Sequence, residues 1–204
     1  MSSNILVLYY SRLGSVKQLA YQIARGIESV DGCDAVLRTV PPVSSVCEAT
    51  EADIPEDGDP YVSLEDLKLC DGMLLGSPTR FGNMAAPLKY FLDQTAPLWL
   101  SGDLKDKPAG VFTSTSTMHG GQESTLLSMM LPLMHHGMLM VGIPFAGSPI
   151  SKTISGGTPY GASHVAGADN KNEFTQDEQK TAHLLGARVA RLSWALKSAC
   201  LKGQ

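Results

Sequence analysis

Five times along this chain a short apolar run gives way to apolar residues spaced three and four apart. That alternation constrains the fold more than any other feature of the sequence. Ile5-Leu6-Val7-Leu8-Tyr9 contains no polar break, the pattern of a strand buried on both faces. From Val16 the period changes, and Val16, Leu19, Ala20, Ile23, Ala24 and Ile27 fall on one face of a helix. Ala35-Val36-Leu37, Met73-Leu74-Leu75, Ala109–Thr113 and Leu139–Ile143 read as four further strands. Among them lie helices over Leu64–Leu69, from Pro87 through Leu88, Phe91 and Leu92, and over Gln122–His135. A last helix runs from about Thr175 to Leu201, striped by Leu184, Leu185, Val189, Leu192 and Leu196. Strands that alternate with helices predict an α/β fold, a doubly wound parallel sheet covered on both faces. For five strands the expected order is 2-1-3-4-5, in one domain spanning residues 1–204.

Composition removes several functional classes. The formal net charge of -4 argues against nucleic acid as an obligatory partner, since phosphate binding brings a basic surplus. Apolar stretches such as Met138–Ile143 fall far short of the roughly 20 residues needed to span a bilayer. No basic stretch followed by a long apolar core opens the chain, so the expected location is cytoplasmic, with no membrane partner. Cys33, Cys47, Cys70 and Cys200 lack paired spacing and nearby histidines, so they read as reduced, mostly buried thiols, and no metal site is expected. The connection from Val40 to Ser63 carries Glu48, Glu51, Asp53, Glu56, Asp57 and Asp59 without a single basic residue, and reads as a solvated loop.

In a sheet of this kind ligands bind beyond the carboxyl ends of the strands. Three loops meet there. Ser11-Arg12-Leu13-Gly14-Ser15-Val16 runs straight into a helix, offering hydroxyls and free amides suited to a phosphate. Ser before a helix is also a common cap, so this loop alone decides nothing. After strand three come Ser77, Pro78, Thr79, Arg80, Phe81, Gly82, Asn83 and Met84; after strand four come Ser114, Thr115, Ser116, Thr117, Met118, His119 and Gly120. Such small and hydroxyl-rich loops let backbone donors approach a flat heteroaromatic ligand closely. Ordinary turn chemistry explains one of them easily, and three at the right ends of the right strands poorly. G-x-G-x-x-G, G-x-x-x-x-G-K-[ST] and G-x-S-x-G are all absent, which disfavours dinucleotide-fingerprint, P-loop and α/β-hydrolase chemistry.

Tyr9-Tyr10-Ser11, Ser77 to Met84, Phe91-Leu92-Asp93-Gln94-Thr95, His119-Gly120-Gly121-Gln122-Glu123, His135-His136-Gly137-Met138 and Gly156 to Ala162 together resemble the WrbA family of type IV NAD(P)H:quinone oxidoreductases. The resemblance runs from about Ile5 to the final helix. It implies a flavodoxin-like fold, bound FMN, and a homotetramer whose active sites form between subunits. By position, Ser11, Arg12, Leu13, Gly14, Ser15 and Val16 would take the FMN phosphate. Pro78, Thr79, Arg80, Phe81, Gly82 and Asn83 would flank the isoalloxazine, and Ser114 to Gly120 would wrap its pyrimidine edge. His135 matches the family histidine beside the flavin, and Trp99 the aromatic that lines the substrate space. Leu13 departs from the family, standing where some members have a tyrosine contacting the nicotinamide nucleotide.

The chemistry this resemblance implies is ping-pong: hydride passes from NAD(P)H to flavin N5, the oxidised nucleotide leaves, and a quinone takes two electrons from the same place. His135 would donate a hydrogen bond or proton to the quinone oxygen, its plainer role being a packed histidine at a helix end. The rival from another class is a flavodoxin-type electron shuttle or redox-sensitive interaction protein without enzymatic activity. The connection from Pro144 to Phe174, which holds the Gly156–Ala162 motif, is long for a structureless loop and is expected to cover the site or build the oligomer.

Overall fold

The computed structural model describes residues 2–43 and 55–202, without the side chains of residues 200–202. Cys47, Cys200 and the acidic Glu48, Glu51 and Asp53 therefore lie outside what is described. A parallel sheet forms from β1 (Ser3–Tyr9), β2 (Cys33–Thr39), β3 (Gly72–Pro78), β4 (Pro108–Thr115), β5 (Leu139–Met140) and β6 (Ala162–Val165). Its order is β2-β1-β3-β4-β5, as the alternation predicts, with β6 as an additional strand on β4. The helices are α1 (Ser15–Glu28), α2 (Leu64–Leu69), α3 (Ala86–Asp93), α4 (Ala96–Ser101), α5 (Gln122–His135) and α6 (Gln176–Lys202).

The pleat sorts each strand's side chains into two cores. Ile5, Val7 and Tyr9 of β1 face Leu19, Ile23 and Ile27 of α1 and Leu185 and Val189 of α6. Leu6 and Leu8, from the same strand, face Leu67 of α2, Leu88 of α3, Leu98 of α4 and Leu126, Met129 and Leu133 of α5. An apolar run without polar breaks is what a strand needs when helices cover both sides. Cys33 and Cys70 are buried and unpaired, and burial pushes the Cys70 thiol up to about 11.

The fifth position in the sheet differs from the expected single strand over Leu139–Ile143. Two short strands share it. β5 pairs with Pro108 and Ala109 at the amino end of β4, while β6 pairs with Phe112 to Thr115 at its carboxyl end. Between them the chain leaves the sheet and returns. The Gly156–Ala162 motif is the return path: the Ile143 amide donates to the Pro159 carbonyl at 2.9 Å, and Thr158 and Gly161 pair across a tight turn just before β6. Most of this motif rebuilds the sheet edge instead of covering the cleft.

A buried carboxylate fastens that edge. Glu178, in the first turn of α6, accepts from Ser155 Oγ at 2.7 Å, the Gly156 amide at 3.0 Å and the Val165 amide at 3.1 Å. Its other oxygen accepts from the Thr175 amide at 2.9 Å and lies 3.0 Å from His164 Nδ1. The His164 ring stacks on Phe174 with centroids 3.9 Å apart. Burial pushes the Glu178 carboxyl up, but these donors outweigh it and hold the pKa at about 2. One ionised group thus ties the excursion, β6 and α6 together.

Candidate functional site

The carboxyl ends of β1, β3, β4 and β6 open on a cleft between β1 and β3, where the strand order reverses. Ser11, Leu13, Ser15, Thr79, Ser114 and Asn170 are among the residues that line it. On the β1 side, Gly14 caps α1 with φ +93° and no side chain caps the helix, so its first amides remain open to a ligand. A Cβ on Gly14 would meet nothing within 4 Å, so this glycine serves the backbone angle and not close packing. Ser11 Oγ is buried beside these amides with no hydrogen-bond partner. A buried, unpaired hydroxyl is costly, and a phosphate oxygen placed there would satisfy it. Loop, orphaned hydroxyl and open helix start therefore fit the phosphate of FMN.

On the β3 side the loop is pinned by its own polar atoms. Ser77 Oγ accepts from the Ala85 amide at 2.8 Å, and the Thr79 amide donates to the Ser114 carbonyl at 3.1 Å. Arg80 and Asn83 exchange backbone hydrogen bonds at 2.8 and 3.0 Å around Phe81 and Gly82, whose φ angles are +52° and +76°. That is the geometry of a tight primed turn, and a phenylalanine bears strain in it. The strain holds out a ring that is wholly exposed. The β4 loop is shaped by Thr115 Oγ1 donating to the Thr117 carbonyl at 2.8 Å. Its outer residues Ser116, Thr117, Met118 and His119 are exposed. Of the expected residues, Ser11 to Leu13, Ser15, Val16, Pro78 to Arg80 and Ser114 to Ser116 line this cleft, whereas Gly14, Phe81, Gly82, Asn83, Thr117, Met118, His119 and Gly120 are not part of its lining.

Two contributors escaped the sequence reading. Ala166 and Asn170, on the loop after β6, form a further wall. Asn170 Oδ1 accepts from Ser15 Oγ, and its Nδ2 donates to the Leu13 carbonyl at 2.9 Å, so this loop buttresses the phosphate loop. The signal was Ala162-Ser163-His164-Val165, a short run concealed within a long connection. Part of the 144–174 connection therefore does line the site, through the residues that follow β6.

His135 and Trp99 are not in this cleft. α5 starts beside the cleft and runs 14 residues, which carries its last residue, His135, roughly 20 Å away. Trp99 lies toward the same far end. Thr95, at the start of α4, sits with Oγ1 2.8 Å from His136 Nε2, and the Asp106 amide donates to the Gly137 carbonyl at 3.0 Å just before β4 begins. The Thr95 hydroxyl donates to the Leu92 carbonyl at 2.7 Å, so it accepts from His136 Nε2–H. Burial, helped by neighbouring His135, holds the His136 pKa below the usual histidine range. The expected pairing of His135 with the ligand cleft does not exist within one chain. Around it the surface is apolar: Leu127, Leu131 and Met134 line the outer face of α5, and Trp99 and Leu100 project nearby.

Comparison with known proteins agrees with this architecture. The NADPH-dependent FMN reductase family matches residues 4–150. An NAD(P)H dehydrogenase (quinone) of Solidesulfovibrio magneticus is 41% identical over 202 residues, covering 96% of this chain and 100% of the relative. The protein of the same name from Syntrophobacter fumaroxidans is 42% identical over 196 residues, covering 93% and 96%. Among solved structures, a flavodoxin, WrbA-like protein from Agrobacterium tumefaciens superposes with a TM-score of 0.66 at 25% identity, covering 95% of this chain and 99% of that one. An oxidised flavodoxin from Bacillus cereus shares the fold with a TM-score of 0.58 at 17% identity.

Proposed function

The chain belongs to the NADPH-dependent FMN reductase family and is an FMN-binding oxidoreductase of the WrbA-like NAD(P)H dehydrogenase (quinone) group; from that premise we propose that it carries two electrons from NAD(P)H to a quinone in ping-pong order. The observation that carries the reading is the cradle at the carboxyl ends of β1, β3 and β4, with Ser11 Oγ buried and unpaired at its base. When bound, FMN would supply the two-electron redox chemistry. Ser11 and the open amides of α1 would hold its phosphate, while Thr79 to Phe81 would flank its ring and Ser114 to Gly120 would wrap its pyrimidine edge. One opening serves donor and acceptor, so nucleotide and quinone occupy it in turn.

In this reading His135 and Trp99 act on the cleft of another copy. The apolar faces of α5 and α4 are the surfaces such a homotetramer would bury, because exposed patches of this kind mark association sites. His135 then positions or protonates the quinone oxygen from across an interface. The test is to mix the FMN-loaded protein anaerobically with NADH or NADPH, then add benzoquinone. Bleaching of the flavin band followed by rapid recovery is expected; a flavin that neither nucleotide bleaches refutes the enzyme. The His135→Ala variant should keep FMN and the assembly mass yet lose most quinone turnover. Unchanged turnover removes His135 from the chemistry.

A further inference from the structure

The first two turns of α5 do more than cover the sheet: they brace the loop that follows β3. Ser128 Oγ lies 3.3 Å from Asn83 Oδ1, and a Cβ on Gly82 would come within 2.8 Å of Ser124 Oγ. Between these contacts Thr125 is fully buried, with its Oγ1 2.8 Å from Thr79 Oγ1. Thr79 is half-buried and lines the cofactor cleft, whereas Thr125 does not reach it. A threonine inside a helix commonly returns its hydroxyl hydrogen to the carbonyl four residues earlier. Thr125 does otherwise. The Gly121 carbonyl takes the Thr125 amide at 3.0 Å, and among the described residues Thr79 is the one partner of the Thr125 hydroxyl.

That isolation fixes the direction of the bond. Were Thr79 the donor, the Thr125 hydrogen would be buried with no acceptor, which is costly. Thr125 therefore donates, and the Thr79 hydrogen stays free, since no other described group is bonded to Thr79 Oγ1. The Thr79 backbone is pinned by its amide, which donates to the Ser114 carbonyl at 3.1 Å.

We propose that Thr125 is a positioning residue: its buried hydroxyl donates to Thr79, which commits the Thr79 hydroxyl to donate to a carbonyl oxygen of the flavin ring. This rests on FMN occupying the cleft and not on the nature of the electron donor. A hydroxyl that accepts one hydrogen bond is polarised and gives a stronger one. The ring carbonyl oxygens accept in both redox states and gain electron density on two-electron reduction. A fixed donor there favours the reduced ring and raises the flavin potential.

Thr125→Val keeps the shape of the side chain and removes the hydrogen. In equilibrium redox titration of the FMN-loaded protein its midpoint potential should fall by about 30 mV, which is a tenfold loss of affinity for reduced relative to oxidised FMN. Thr125→Ser should restore the wild-type value. Thr79→Val should produce a similar fall, and adding Thr125→Val to it should lower the potential little further, because one hydroxyl acts through the other. A Thr125→Val protein whose potential is unchanged or raised overturns the proposal, even if it holds both forms of FMN less well, because its hydroxyl then only packs. Independent, additive shifts from the two valines overturn it as well. An unchanged potential in Thr79→Val does so whether or not Thr125→Val folds. A wild type that fails to bind FMN in fluorescence titration instead removes the cofactor reading beneath it, and that result is visible before any variant is made.

Discussion

Glu178→Gln removes one charge from the sheet edge and changes almost no volume, so it isolates what the carboxylate contributes. The wild-type group accepts five hydrogen bonds, three on one oxygen and two on the other. Glutamine keeps a single acceptor oxygen. Its NH2 must then face either the Thr175 amide and His164, whose ring can change tautomer to accept, or the trio of Ser155, Gly156 and Val165, leaving at least one buried backbone amide without a partner. Each such orphan costs about 1–3 kcal/mol. A second route gives a similar figure. Lowering the carboxyl from its ordinary 4.5 to about 2 corresponds to about 3 kcal/mol of preference for the ionised form in the fold. Glu178 is fully buried, so solvent screening does not reduce that amount appreciably.

The sign of the pH dependence follows. A carboxyl whose pKa is depressed by folding contributes its full stabilisation above about pH 4.5 and loses it progressively as pH falls toward 2. Urea unfolding of FMN-free wild type and Glu178→Gln at pH 7 should therefore differ by about 3 kcal/mol. For a chain of this length that is a loss of about 6–12 °C in Tm. The gap should narrow below pH 4.5, because only the wild type has this proton to gain. A difference under about 1 kcal/mol at pH 7, or one that stays constant down to pH 3, would show that the ionised carboxylate does not hold this edge.

Three further substitutions probe other parts of the argument. Ser11→Ala should lower FMN affinity about tenfold, since one phosphate hydrogen bond is lost, while the FMN-free protein stays as stable or gains slightly; unchanged affinity by flavin fluorescence titration removes Ser11 from the phosphate site. Phe81→Gly should raise the Tm of the FMN-free protein by relieving about 1 kcal/mol of strain at φ +52°, at the expense of turnover. A loss of stability there would mean that the Phe81 ring makes stabilising contacts despite its exposure. Gly186→Ala puts a methyl 2.3 Å from the Ile23 carbonyl oxygen, forcing α6 and α1 apart at a cost of about 1–3 kcal/mol by urea midpoint. Stabilisation, as helix propensity alone would give, would show that the two helices do not meet there.

What could be read from the sequence, and what could not, divides along a physical line. β1 and the α1 stripe declare themselves because their environment is written in their own side chains: apolar neighbours demand apolar burial on both faces. β6 does not. All four residues of Ala162–Val165 are buried, yet two of them are Ser163 and His164. What makes their burial tolerable is remote: Ser163 Oγ donates to Gln122 Oε1 at 2.6 Å, and His164 meets Glu178. Hydropathy registers the polar atom and not its partner, so a strand held by polar satisfaction reads as loop. Asn170 was missed for the same reason, because its place in the cleft depends on where β6 ends.

His135 illustrates the converse. Its helix is legible to the residue, and the length of that helix already separates it from the cleft: a site at the start of a 14-residue helix cannot include the far end. Motif resemblance groups residues that one molecule holds apart, and only an assembly can reunite them. The split fifth strand then acquires a role. By sending the chain out over residues 141–161 and bringing it back, the fold spends two short strands on one sheet position and sets the Asn170 loop against the phosphate loop. The Glu178 clip determines where that return occurs. Loosening it should therefore lower FMN affinity as well as stability, although Glu178 does not line the cleft.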